Sequence, residues 1–233
     1  MTSGNVGGLP LAVWVKICGI TRAEDARAAF EAGADAIGLN FVGGPRKVTV
    51  ATARTILEGV PRERGVVALV TLDPDGLEAS VHQLLAEHAV RHLQMYGDVS
   101  PKNVGHLVDR GYQPVPVCRV REGELVGSLK ASVAGLDADD LFAIVLDAHA
   151  LDQRGGTGKT IDWEALARAR DRGELRGYPP VILAGGLTPQ NVDRAIQIVR
   201  PWGVDVSSGV ESSPGRKDHQ ALLDFVRAAK GVA

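Results

Sequence analysis

Short apolar runs alternate with helical patterns eight times along this chain, and that rhythm limits the fold more than any single motif does. The runs fall at 11–17, 36–41, 66–70, 92–95, 115–120, 142–146, 181–183 and 204–206. Between and after them lie helical patterns at 22–32, 51–58, 76–88, 101–110 and 125–133, one starting near 162, one at 190–199 and a last one ending near 230. Parallel strands need a crossover between neighbours, so strands that alternate with helices predict a parallel sheet. Eight units of about 28 residues fit one closed (β/α)8 TIM barrel, a single α/β domain over 11–233, with 1–10 as a disordered lead-in. The rival is an open doubly wound sheet. Against it, the first strand lacks G-x-G-x-x-G, and the glycine-rich turns come last, after strands seven and eight.

Those turns are the first candidate for function. The stretch Ala184-Gly185-Gly186-Leu187-Thr188-Pro189 ends strand seven, and Ser207-Ser208-Gly209 ends strand eight. Small residues let oxygen atoms approach backbone N–H groups, so two such turns on neighbouring strands suit a single phosphate. An aliphatic chain, 45% apolar with 4% aromatics, agrees with strands covered on both faces. Lys plus Arg number 26 against 28 acidic residues, for a net charge of −2, and no basic block favours nucleic acid or an anionic membrane. No apolar run approaches the roughly eighteen residues of a membrane span, and 1–10 has neither the basic start nor the apolar core of an export leader. The expectation is a cytoplasmic protein whose two cysteines, Cys18 and Cys118, are free thiols.

Several side chains stand where a barrel mouth would be. Cys18 closes strand one, and Thr21 with Glu24 has capping-box spacing for the next helix. A helix start beside Cys18 would lower its thiol pKa and make it a base or nucleophile. The alternative is a small buried core residue, the reading preferred for Cys118. Asp147 ends the apolar strand Ile144-Val145-Leu146-Asp147. There it is either a desolvated carboxyl able to hold a proton or a cap for the following loop. Arg46 and Lys47 follow strand two, either as cations reaching the same mouth or as surface charges. The loop Arg154-Gly155-Gly156-Thr157-Gly158-Lys159-Thr160 is not a P-loop, which would need glycine where Gln153 stands. It reads as a mobile lid or a plain solvent loop. The six histidines show no ligand spacing, and Asp147 with His149 are too few donors, so no metal site is expected.

Taken together, these motifs resemble phosphoribosylanthranilate isomerase. The matching residues run in order from Lys16 to about Asp218: Lys16-Ile17-Cys18-Gly19-Ile20-Thr21, Gly38-Leu39-Asn40-Phe41, Gly155 to Thr160 with Asp162-Trp163, Ala184-Gly185-Gly186-Leu187, and Asp205 through Glu211. Pro214-Gly215 and Lys217-Asp218 complete the set. The resemblance implies an Amadori rearrangement in tryptophan biosynthesis, acting on a small phosphorylated aminosugar without cofactor or metal, in a monomer or homodimer. By position it implies Asp147 as general acid and Cys18 as general base. Gly185, Gly186, Ser208 and Gly209 would bind the phosphate, and Arg46 and Asp205 would orient the anthranilate end. The chain departs from the family pattern at Tyr96, where Gln-Leu-His-Gly becomes Gln94-Met95-Tyr96-Gly97, and at Leu69-Val70-Thr71 in place of Phe-Val-Asn. Two other readings stay open: an isomerase for another N-ribosyl phosphate, whose barrel usually has aspartate where Cys18 stands, and a silent phosphate-binding barrel.

Overall fold

The computed structural model describes residues 13–72, 76–120, 123–148 and 160–231. The expected lead-in, His149 and all but the last residue of the glycine loop at 154–160 lie outside them.

Eight parallel strands close into one barrel: β1 Trp14–Ile17, β2 Ala36–Asn40, β3 Gly65–Thr71, β4 His92–Tyr96, β5 Gln113–Arg119, β6 Ile144–Asp147, β7 Val181–Leu183 and β8 Gly203–Val206. Closure is made by β1 pairing with β8, Lys16 opposite Asp205 and Ile17 opposite Val206. Eight helices follow the strands: α1 Ala23–Glu31, α2 Val50–Glu58, α3 Ala79–Glu87, α4 Pro101–Val108, α5 Leu125–Ser132, α6 Trp163–Asp171, α7 Val192–Val199 and α8 His219–Lys230. A two-stranded antiparallel ribbon, β9 Glu211–Ser213 with β10 Arg216–Lys217, lies between β8 and α8. The predicted α/β barrel, a single domain, is the fold observed.

Alternation along each strand separates two cores. Outward residues such as Ile17, Ile37, Leu93 and Leu146 pack with helix residues such as Leu84, Leu166 and Phe225 in the larger cluster. Inward residues Val115, Val145, Ile182 and Ala184 form a smaller cluster inside the barrel, with Trp14, Val117 and Phe142 against it. Trp14 stacks on Trp202 at 5.1 Å, and Phe142 meets His92 at 4.0 Å, which plugs the end where the strands begin. Burial lowers the pKa of His92 and keeps it neutral. With that end filled by rings, the opposite end is left for polar side chains.

Local chemistry sets several helix starts. Thr49, Ser100, Asp162 and Asp218 each accept a bond from an N–H in the first turn of the next helix. The expected capping box at Thr21 does not form. Arg22 is the residue before α1 and makes no side-chain cap, while Thr21 Oγ1 donates to Gly215 O at 2.5 Å. A tertiary partner 194 residues away outcompetes the local one.

Candidate active site

The ends of the strands open onto a cavity of about 450 Å³, lined by Cys18 of the β1 end, Asn40 of β2, Gln94 and Tyr96 of β4, Asp147 of β6 and Asp205 of β8. Cys18 is anchored by its own N–H, which donates to Val206 O at 2.7 Å. Two residues earlier on the same inner face, Lys16 Nζ donates to Asp205 Oδ2 at 2.8 Å, with side chains 1% and 8% exposed. Gly38 on β2 makes room for both β1 side chains. A β-carbon there would stand 2.9 Å from Cys18 Sγ and 3.1 Å from Lys16 Cε.

The thiol does not have the lowered pKa expected from a neighbouring helix start. Burial pushes it up, and the Lys16 charge offsets only part of that rise. The helix α1 begins at Ala23, one residue later than the spacing suggested. For Lys16, burial disfavours the charge, but Asp205 and Cys18 more than compensate and hold it as an ammonium well above its ordinary pKa.

Asp147 ends β6, half-buried, and its carbonyl accepts from Val120 N at 3.1 Å. Its carboxylate lies against the turn after β7, where Gly185 and Gly186 have φ of 85° and 65°. Successive residues in the left-handed region favour glycine. Asn191 locks that turn: its Oδ1 accepts from Thr188 N at 2.8 Å and its Nδ2 donates to Gly186 O at 3.0 Å. The helix after this turn therefore starts at Val192, two residues later than its sequence pattern suggests. The turn after β8 packs directly on it, because a β-carbon on Gly209 would lie 2.0 Å from Leu187 O. Among the described residues, the N–H groups of Gly185, Gly186, Ser208 and Gly209 find no acceptor, and all four residues line the cavity.

On the other rim Arg46 grips Glu211 through Nε at 2.8 Å and Nη2 at 2.6 Å. Lys217 Nζ reaches the same carboxylate at 2.8 Å and Ser207 O at 3.0 Å. Burial lowers the Lys217 pKa despite that carboxylate. Lys47 takes no part; its side chain is exposed outside the cavity. Gln94 Nε2 donates to Tyr96 Oη at 3.1 Å, and burial raises the Tyr96 phenol far above its usual pKa. Among the described residues four buried side-chain polar atoms have no hydrogen-bond partner, and three of them, Gln94 Oε1, Asp205 Oδ1 and Ser207 Oγ, belong to residues lining the cavity, the fourth being Trp163 Nε1. Buried groups of that kind call for a polar ligand. Among the described residues no three His, Cys, Asp or Glu side chains group as a metal site would require, and no helix is long and apolar enough to cross a membrane.

A family model, N-(5'phosphoribosyl)anthranilate (PRA) isomerase, matches residues 15–228. The chain belongs to the phosphoribosylanthranilate isomerase family. It is 40% identical over 223 residues to the N-(5'-phosphoribosyl)anthranilate isomerase of Pseudomonas syringae, covering 95% of this chain and 99% of that one. The Geobacter sulfurreducens isomerase is 38% identical over 224 residues, covering 94% and 99%. Among solved structures, phosphoribosyl anthranilate isomerase from Thermotoga maritima superposes with a TM-score of 0.78 at 33% identity, covering 94% of this chain and 99% of that one. Another phosphoribosyl anthranilate isomerase, solved in complex with reduced 1-(o-carboxyphenylamino)-1-deoxyribulose 5-phosphate, superposes with a TM-score of 0.74 at 31% identity, covering 94% and 99%.

Within this isomerase-family barrel, all eight residues singled out from the sequence, Cys18, Arg46, Asp147, Gly185, Gly186, Asp205, Ser208 and Gly209, line one cavity. Sequence reasoning missed Lys16 as the partner of Asp205, Glu211 and Lys217 as the partners of Arg46 and of each other, and the orphaned Gln94 and Ser207. Lys16 carried a signal: a lysine alternating with Cys18 in an otherwise apolar strand points into the barrel.

Proposed function

We propose that this chain catalyses the Amadori rearrangement of N-(5-phosphoribosyl)anthranilate to the carboxyphenylamino deoxyribulose phosphate, with Asp147 as acid and Cys18 as base. The observation that carries this reading is that Cys18 and Asp147 face one cavity whose wall also holds two abutting glycine turns with N–H groups that find no acceptor among the described residues. Those turns suit the phosphate, which fixes the ribose between the two side chains. Asp147 gives its proton to the furanose ring oxygen, the C1′–O bond breaks and a cationic Schiff base forms. The Cys18 thiolate then removes the C2′ proton, and the electron pair moves in to neutralise the iminium as an enolamine. Tautomerisation gives the ketone, so protons are moved but no electron is gained or lost. Each positioned proton transfer typically contributes ~10²–10⁴-fold.

Arg46 and Asp205 hold the anthranilate end in this reading. The Glu211 grip uses Nε and Nη2 of Arg46 and leaves Nη1 to meet a carboxylate, while Asp205 offers its unpartnered Oδ1. Acid–base chemistry of this kind requires neither metal nor cofactor. The enzyme works in the cytoplasm as a monomer or homodimer; a solved Thermotoga maritima relative is described as monomers generated from a dimeric isomerase. The test is decay of phosphoribosylanthranilate fluorescence with purified protein. Cys18→Ala and Asp147→Asn should each nearly abolish the decay with circular dichroism unchanged. Full turnover in both would overturn the roles.

A further inference from the structure

We infer that Lys16, clamped by Asp205, is a positioning residue that supplies the fixed positive charge against which Cys18 ionises. The inference rests on the acid–base reading of Cys18 and names what makes that base usable.

A thiol buried at a barrel mouth is a poor base unless something favours its anion. Lys16 is placed to do so. It lies on the same inner face of β1, and its Cε and the Cys18 sulfur both crowd the space that a side chain at Gly38 would fill. Its ammonium is immobilised, because Asp205 on β8 takes Nζ at 2.8 Å and the pair is sealed from solvent. Lysine loses much rotamer freedom when held this way, and a purely structural pair could be replaced by apolar residues of similar volume at little cost. A salt bridge pressed against a nucleophilic sulfur has a further use: its charge acts at short range, in a site that screens weakly.

Other charged and titratable groups act on the sulfur from the surrounding elements. They are Asp205 on β8, Lys217 on β10, Arg46 after β2 and Tyr96 on β4, with Asp147 on β6 facing Tyr96. Lys16 is the strongest of those favouring the thiolate, and Asp205 works against it. The two members of one salt bridge therefore pull the thiol in opposite directions. A merely structural pair would not behave so, since breaking it from either side would disturb the site in the same sense.

The experiment is alkylation of the full chain by iodoacetamide as a function of pH, with peptide mass spectrometry separating Cys18 from the buried Cys118. Lys16→Met should move the Cys18 midpoint up and slow alkylation at mildly alkaline pH by about tenfold or more, one pKa unit being tenfold in thiolate. Asp205→Asn should move the midpoint down. Lys16→Met with Asp205→Asn leaves no unpaired charge, so it keeps the test available if the single lysine variant fails to fold. Its midpoint should still lie above that of the unaltered chain. A double-variant midpoint at or below that value, or single variants that move together, overturns the inference. In parallel, the rising limb of kcat/KM with pH should follow the alkylation midpoint in each variant. Turnover retained in Cys18→Ala, with the midpoints still moving apart, would remove the base role while leaving the ionisation device standing.

Discussion

A β-carbon on Gly185 would stand 2.8 Å from Oδ1 of Asp147 and 2.6 Å from the Ala148 nitrogen. The turn assigned to phosphate thus also forms the seat of the proposed acid, and binding and proton transfer share one piece of backbone. Gly185→Ala should therefore damage turnover as well as folding. Its φ of 85° makes alanine strained by about 1–2 kcal/mol, and the close approach to the Ala148 backbone adds to that, so melting curves should register a loss as well. Displacing the carboxyl by about an ångström should cost about 10²-fold in kcat/KM. Wild-type kcat/KM in a correctly folded Gly185→Ala protein would show that the carboxyl position is not used.

Cys18 makes activity and stability respond to pH with opposite signs. Burial holds the folded thiol above its ordinary value, so at neutral pH it is mostly protonated. As pH rises the thiolate fraction grows, and kcat/KM should climb to an inflection above the ordinary ~8.5 of a free thiol. The stability contribution goes the other way. A raised folded pKa contributes stability that is fully present below the unfolded value and lost as pH climbs through the folded one. Denaturant unfolding across the alkaline range should show the fold weakening as the enzyme speeds up. Subtracting the Cys18→Ala curve, which lacks the thiol, isolates the effect; identical curves for the two proteins would refute it.

Two departures from the family pattern reach the cavity, Leu69 and Tyr96, and Tyr96 is the polar one. Its hydroxyl accepts from Gln94 at 3.1 Å, and the phenol stays neutral because burial opposes its anion, so its proton remains available to donate into the cavity. Tyr96→Phe removes that donor and strips Gln94 Nε2 of its acceptor, where Gln94 Oε1 already lacks a partner. Stability should fall by about 1–3 kcal/mol from the unsatisfied carboxamide. KM should rise by several-fold with a smaller change in kcat, the pattern of lost substrate binding. Steady-state kinetics returning an unaltered KM would remove Tyr96 from the binding surface.

The barrel was legible because its information is local: each strand and helix announces itself by period, and Asp147 stood out as a charge ending an apolar run. The glycine turns were legible for the same reason. The pairing of Lys16 with Asp205 was not, because 189 residues separate them and only barrel closure brings β1 beside β8. The direction of the Cys18 shift was missed for a related reason. Proximity to a helix start could be guessed from the sequence, whereas burial under Lys16, Gly38 and the β8 end could not. Thr21 shows the same limit, since its local capping partner lost to the Gly215 carbonyl. Lys47 follows Arg46 directly, yet only Arg46 turns inward, toward a glutamate 165 residues away.

That glutamate carries the last prediction. Glu211, 4% exposed, pairs with both Arg46 and Lys217, so it holds a cavity-lining guanidinium and a buried ammonium together. Burial alone would raise its pKa, but the Arg46 and Lys217 bonds prevail and hold it below the usual carboxylate range. A depressed carboxyl contributes stability that is present above the unfolded value, roughly 4.3, and lost as pH falls through the folded one. Glu211→Gln should therefore cost about 3–5 kcal/mol at neutral pH, because two cations lose their partner. Its unfolding free energy should then vary less with pH below the carboxylate range than that of the unaltered protein. Arg46, no longer gripped, should also hold substrate less well and raise KM. Urea unfolding from neutral pH down through the carboxylate range reads the first two effects, and steady-state kinetics the third. A variant as stable as the unaltered chain, with the same acid limb, would mean that the three-way contact contributes nothing to holding Arg46 at the cavity.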